Sequence, residues 1–231
     1  MLRRMRPTMS KLLGVALFLA AAGVLIGFYV SKLTTDAGSP SYTVPVQTAG
    51  AHPVVDLTIE TVAAVGPQLS PGHPDFVSYL IRDTTGKWRR DTVWRLPANA
   101  TVHVTVYNFD GASGLRNPYL ARPLGVDGNQ EVVDGKPVSV INPDDASHTF
   151  AVPQLGLIVA LPGVGDNAKN QCGYAPCPMS NAHRTITFTF HTGAKGHYRW
   201  QCFVPCAAGW IDGFGGPMQT IGYMDGFLDV V

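Results

Sequence analysis

The sequence predicts an all-β fold, a β-sandwich, behind one N-terminal membrane-spanning helix. Three observations predict it. Short runs of β-branched and aromatic residues recur between turn-forming Gly, Pro, Asn and Asp from residue 54 to the C-terminus. No convincing soluble helix follows residue 30. Only 14% of the 231 residues are charged, whereas Gly (25) and Pro (18) are plentiful, which suits strands joined by turns.

The chain opens on a basic segment, residues 1–11, with Arg3, Arg4, Arg6 and Lys11 and no acidic residue. Residues 12–30, "LLGVALFLAAAGVLIGFYV", carry no charge. As a helix they are about 28 Å long, close to the ~30 Å of a bilayer core. The basic flank places residues 1–11 in the cytoplasm and exports the rest. A cleavable signal peptide is the alternative, with "AAAG" at 20–23 as its weak cleavage site, but the apolar run is long for one. Residues 31–53 are polar, aperiodic and Pro- and Gly-bearing, and read as a linker. That leaves 54–231 as one domain.

Within the domain, "VVDLTIETV" (54–62), "FVSYLI" (76–81) and "TVWRL" (92–96) read as strands. "ATVHVTVYNF" (100–109) alternates most cleanly: Val102, Val104 and Val106 share one face, and His103 lies on the other. His103 is therefore read as a surface residue. Residues 110–136 form a loop with a short hairpin in "VDGNQEVVDG". Strands follow at 137–141, 148–152 and 156–161, then a loop over 162–183. "RTITFTFHT" (184–192) puts Ile186, Phe188 and Phe190 on one face, and "GHYRWQC" (196–202) does the same for Tyr198, Trp200 and Cys202. A final strand lies in "GYMDGFLDVV".

The four cysteines fall in two close pairs, Cys172/Cys177 and Cys202/Cys206. In an exported domain such thiols become disulfides or metal ligands. Cys172 and Cys177, five apart in a Pro- and Gly-containing loop, predict a disulfide. Cys202 and Cys206 leave two readings open: a disulfide in a metal-free domain, or thiolates of a metal site.

A resemblance bears on that choice. "GHYRWQC" resembles the strand that ends at the copper ligand of cupredoxins, and "DASHTF" (145–150) resembles their upstream histidine segment. "CFVPC" resembles the C-x-x-x-C loop of cytochrome c oxidase subunit II, which holds the binuclear copper centre CuA. A single anchor before such a domain is similar to the single-span forms of that subunit. The resemblance implies a Greek-key, cupredoxin-like sandwich that binds copper and transfers electrons, with heme-copper oxidase subunits or another redox protein as partner. His148 becomes the nitrogen ligand and Cys202 and Cys206 the thiolates. Two positions depart from the family. Its second histidine falls at Trp210, and a neutral indole has no lone pair for a metal. Its methionine falls at Gly213; the nearest sulfur is Met218, with Met224 a second choice. The expected ligand set is His148, Cys202, Cys206 and Met218, which favours a mononuclear copper over a binuclear one. The rival is a metal-free, disulfide-bonded structural or assembly subunit.

Other functions are poorly supported. A net charge of +1 with no basic stripe excludes a nucleic-acid footprint. There is no G-x-S-x-G elbow, H-E-x-x-H, phosphate loop or dinucleotide fingerprint. No catalytic residue is assigned, and a mononuclear copper enzyme is the only catalytic reading carried forward.

Overall fold

The computed structural model describes residues 7–34, 41–64, 77–206, 216–218 and 221–231. They divide into two compact units, Met1–Asp36 and Ala37–Val231. The first contains one helix, α1 (Pro7–Thr34). Its stretch Lys11–Ser31, with mean hydropathy 2.4, is long and apolar enough to cross a membrane. It overruns the expected 12–30 at its start, where Pro7 suits a first turn whose N–H has no partner anyway.

In the second unit the described strands are β1 (Ser41–Thr43), β2 (Val46–Thr48), β3 (Val54–Val62), β4 (Ser78–Arg82), β5 (Trp88–Arg89), β6 (Val93–Leu96) and β7 (Thr101–Asn108), followed by β8 (Glu131–Val133), β9 (Lys136–Val138), β10 (Ala146–Val152), β11 (Leu157–Pro162), β12 (Arg184–His191), β13 (Gly196–Gln201) and β14 (Asp225–Val230). One sheet runs β1-β6-β14-β13-β10-β11; the other runs β5-β4-β3-β7-β12-β8-β9, with β2 also on β3. Pairs β1/β6, β6/β14 and β3/β7 are parallel. The chain changes sheets repeatedly, at β6 to β7 and β11 to β12 among others. This is the expected all-β, Greek-key sandwich.

Register explains the core. Val102, Val104 and Val106 pair with Phe190, Phe188 and Ile186 on one side and with Val55, Leu57 and Ile59 on the other. Strand alternation then gives one inward apolar row per strand, and all nine side chains are buried. Across the gap lie Trp94, Phe150 and Trp200, with the Trp94 and Trp200 rings stacked at 4.7 Å. Their indole N–H groups donate to Asp91 O (2.6 Å) and Thr92 O (3.0 Å), so burial leaves no donor unpaired. Gly226 is required here: a Cβ would stand 1.8 Å from Thr92 O.

Two expectations change. The linker 31–53 is shorter than expected: residues 41–48 supply β1 and β2, held by pairing to β6 and β3. Strands this short show no sequence period; their order comes from the partners they pair with. The strand over 137–141 shrinks to the hairpin partner β9. The hairpin turns at Asp134 and Gly135, whose positive φ (50° and 78°) suits a tight two-residue turn.

Candidate metal centre

β10 is buried along its whole length, from Ala146 to Val152, because it lies between β11 and β13 and under the other sheet. It carries His148. β13 ends at Gln201, so Cys202 is the first residue beyond the ladder; its N–H donates to Met224 O at 3.0 Å. His148, Cys202 and Cys206 are all buried. Two sheet neighbours thus bring together residues 54 and 58 positions apart in sequence, by way of β12 and its flanking loops.

The ligand atoms of these three residues all lie within 4.8 Å of one another. His148 Nδ1 is 2.9 Å from Cys206 Sγ. The two sulfurs are 3.1 Å apart and both thiols are free. Thr149 N–H donates to Cys202 Sγ at 3.3 Å. Phe203 N–H donates to Thr149 Oγ1 at 2.7 Å, which ties the cysteine loop to β10. Met218 comes to the loop as well: its Sδ accepts from Cys206 N–H at 3.4 Å. Met224, the second choice, meets Cys202 through its carbonyl.

Charge in this pocket is set by competition. Burial opposes ionisation of Cys202, but hydrogen bonds from Cys206 and His148 outweigh it and hold the thiol well below its usual range. Pairing with Cys202, together with burial, pushes the Cys206 thiol up. Burial likewise lowers His148, yet Asp110 and the Cys202 thiolate outweigh it and raise the imidazole to about 9. In the metal-free chain a thiolate beside a protonated ring balances charge, and a metal ion held at Nδ1 would displace that proton.

The donor set fits copper. One imidazole nitrogen and two sulfurs converge, all on buried residues, with a thioether beside them, and such mixed N/S sets suit Cu(I) and Cu(II). It fits one ion. Among the described residues the other histidines point elsewhere. His103 Nδ1 meets Thr189 Oγ1 at 3.0 Å on the outer face, and His191 Nε2 meets Asp127 at 3.0 Å. His183 packs on Phe109 at 5.2 Å, and His197 pairs with Asp229. Trp210 and Gly213 lie outside the described residues.

Cys172 and Cys177 are joined, with S–S 2.07 Å. Their loop caps the outer face of the second sheet, where Cys177 and Ala175 pack with Val62, Leu80 and Phe109. The His148, Cys202 and Cys206 cluster and this disulfide share no residue.

Sequence reasoning passed over Asp110, which accepts from His148 Nε2 at 3.1 Å. Its only signal was its place straight after the cleanest alternating strand; nothing in the spacing ties it to a histidine 38 residues on. Also passed over was Asn108. Its Nδ2 donates to Ser147 Oγ (2.6 Å) and Pro162 O (2.8 Å), and Thr61 Oγ1 donates to its Oδ1 (2.6 Å).

No protein-family model and no curated protein matches the chain. Solved structures of rusticyanin, described as a copper protein, are similar to it. One such structure shares 18% identity over 91% of this chain and 94% of that one, with a TM-score of 0.32. The rusticyanin of Thiobacillus ferrooxidans gives 19%, 90%, 93% and 0.32, and the reduced form gives 20%, 89%, 94% and 0.31. These overlays are loose, and the site stands on its own geometry.

Proposed function

We propose that this chain is a membrane-anchored, cupredoxin-like protein that binds one copper ion and passes electrons through it. The observation that carries the reading is the convergence of His148 Nδ1, Cys202 Sγ and Cys206 Sγ in one buried cluster with free thiols. A site that must switch between Cu(I) and Cu(II) gains from donors acceptable to both, held in a rigid and water-poor pocket. β10 and the end of β13 supply that rigidity. The anchor reading rests on the span Lys11–Ser31. A heme-copper oxidase or another respiratory redox protein is the proposed partner, on the C-x-x-x-C loop behind a single anchor.

The test is to load the full chain in detergent with copper under reducing conditions, remove excess metal, and follow visible absorption during redox titration. A thiolate-to-copper band that bleaches and returns with one electron per chain is expected. A chain that retains no copper, with Cys202 and Cys206 recovered as a disulfide from its native compartment, would instead mark a metal-free docking module.

A further inference from the structure

Resting on the copper reading, the geometry around His148 singles out one more residue. Asp110 Oδ2 is 3.1 Å from His148 Nε2, on the ring edge opposite the sulfurs. The carboxylate is itself fixed. Gly111 N–H donates to its other oxygen, Oδ1, at 2.8 Å. Asp110 N–H donates to Asn108 Oδ1 at 3.1 Å, and Val164 N–H donates to Asp110 O at 2.9 Å. Asn108 in turn grips Ser147, the neighbour of His148. Asp110 and His148 are therefore clamped to one another through backbone and side chain alike. A carboxylate oxygen at this distance is the natural acceptor for a ring N–H, which puts a proton on Nε2 and leaves Nδ1 on the sulfur side.

We propose that Asp110 is a positioning residue for the metal site: by holding the proton on His148 Nε2, it fixes the ring so that Nδ1 is the nitrogen offered to copper. Without that acceptor the imidazole can turn or swap its proton, and the Nδ1 lone pair is no longer held toward Cys202 and Cys206. Partners that orient a ligating histidine in this way are generally worth about 10–100-fold in metal affinity. Asp110 touches neither sulfur and is not itself a ligand here.

The test uses the full chain in detergent, reduced and titrated with Cu(I) against a chromophoric chelator. Asp110→Leu keeps the branched outline, at larger volume, and removes the acceptor; its Cu(I) affinity should fall about 10–100-fold. Asp110→Asn retains an amide oxygen facing Nε2 and should recover most of that loss. A second measurement needs no variant: 15N-histidine NMR of the Cu(I)-loaded wild type should show His148 protonated at Nε2 and metal-bound at Nδ1. Wild-type affinity in Asp110→Leu, or a ring bound through Nε2, would overturn the inference while leaving the copper reading intact. A wild-type chain that takes up no Cu(I) would overturn both.

Discussion

His148 is gripped at both ring nitrogens, and His103, though on the best-formed strand, is bonded only to Thr189 on the outer face. Copper content should follow that difference. His148→Ala and Cys202→Ser should each lose most bound copper, while His103→Ala should stay within about 20% of wild type, as expected for a surface side chain away from any ligand. Equal loss from both histidine variants would mean that the wrong face was chosen. A second prediction concerns Glu131. It sits at the start of β8, buried, with neither carboxyl oxygen hydrogen-bonded, and burial raises its acid to about 8. Glu60, raised to about 8 mainly by burial, behaves alike. A folded-state pKa above the unfolded ~4.3 means that the folded chain binds more protons between those values. Their contribution is full below pH ~4.3 and is lost as pH rises through 8. Glu131→Gln should therefore gain melting temperature relative to wild type between pH 5 and pH 8, by several degrees, since ~1 kcal/mol moves a domain of this size by ~2–4 °C. An unchanged difference across that range would contradict it. At this scale the residues of the candidate cluster, His148, Cys202 and Cys206, were legible, because sulfur spacing and a strand-borne histidine leave local marks. Asp110, Glu60 and Glu131 were not, because their significance lies in what surrounds them and not in a motif.

Among elements, the site depends on where β11 ends. Gly163 follows that strand, and a Cβ there would stand 2.3 Å from Ala112 N and 2.5 Å from Gly111 C. Those are backbone atoms of the loop that begins at Asp110, so the loop must move. Gly163→Ala should cost about 1–3 kcal/mol and weaken copper binding by displacing Asp110; scanning calorimetry and Cu(I) competition measure the two effects. Full stability together with full affinity would show that the close approach is relaxed without cost. The long alternating strands, β3, β7 and β12, were readable from period alone. β1, β2 and β5 were not: at two or three residues they carry no period, and their pairing partners fix them instead.

For the whole molecule, the basic flank predicts that residues 31–231 face away from the cytoplasm. A reporter active only in the exported compartment, fused after Val231, should give signal; signal from a strictly cytoplasmic reporter would reverse the topology. The copper reading needs that orientation less than it needs the count of donors. A binuclear centre requires a strong nitrogen donor for each ion, and the described residues bring one imidazole, His148, to the two sulfurs. The most direct measurement is therefore copper per chain together with EPR on the oxidised, copper-loaded full-length protein. The expected result is one copper and a four-line hyperfine pattern from a single nucleus. Two coppers per chain sharing one unpaired electron, seen as a seven-line pattern, would contradict it.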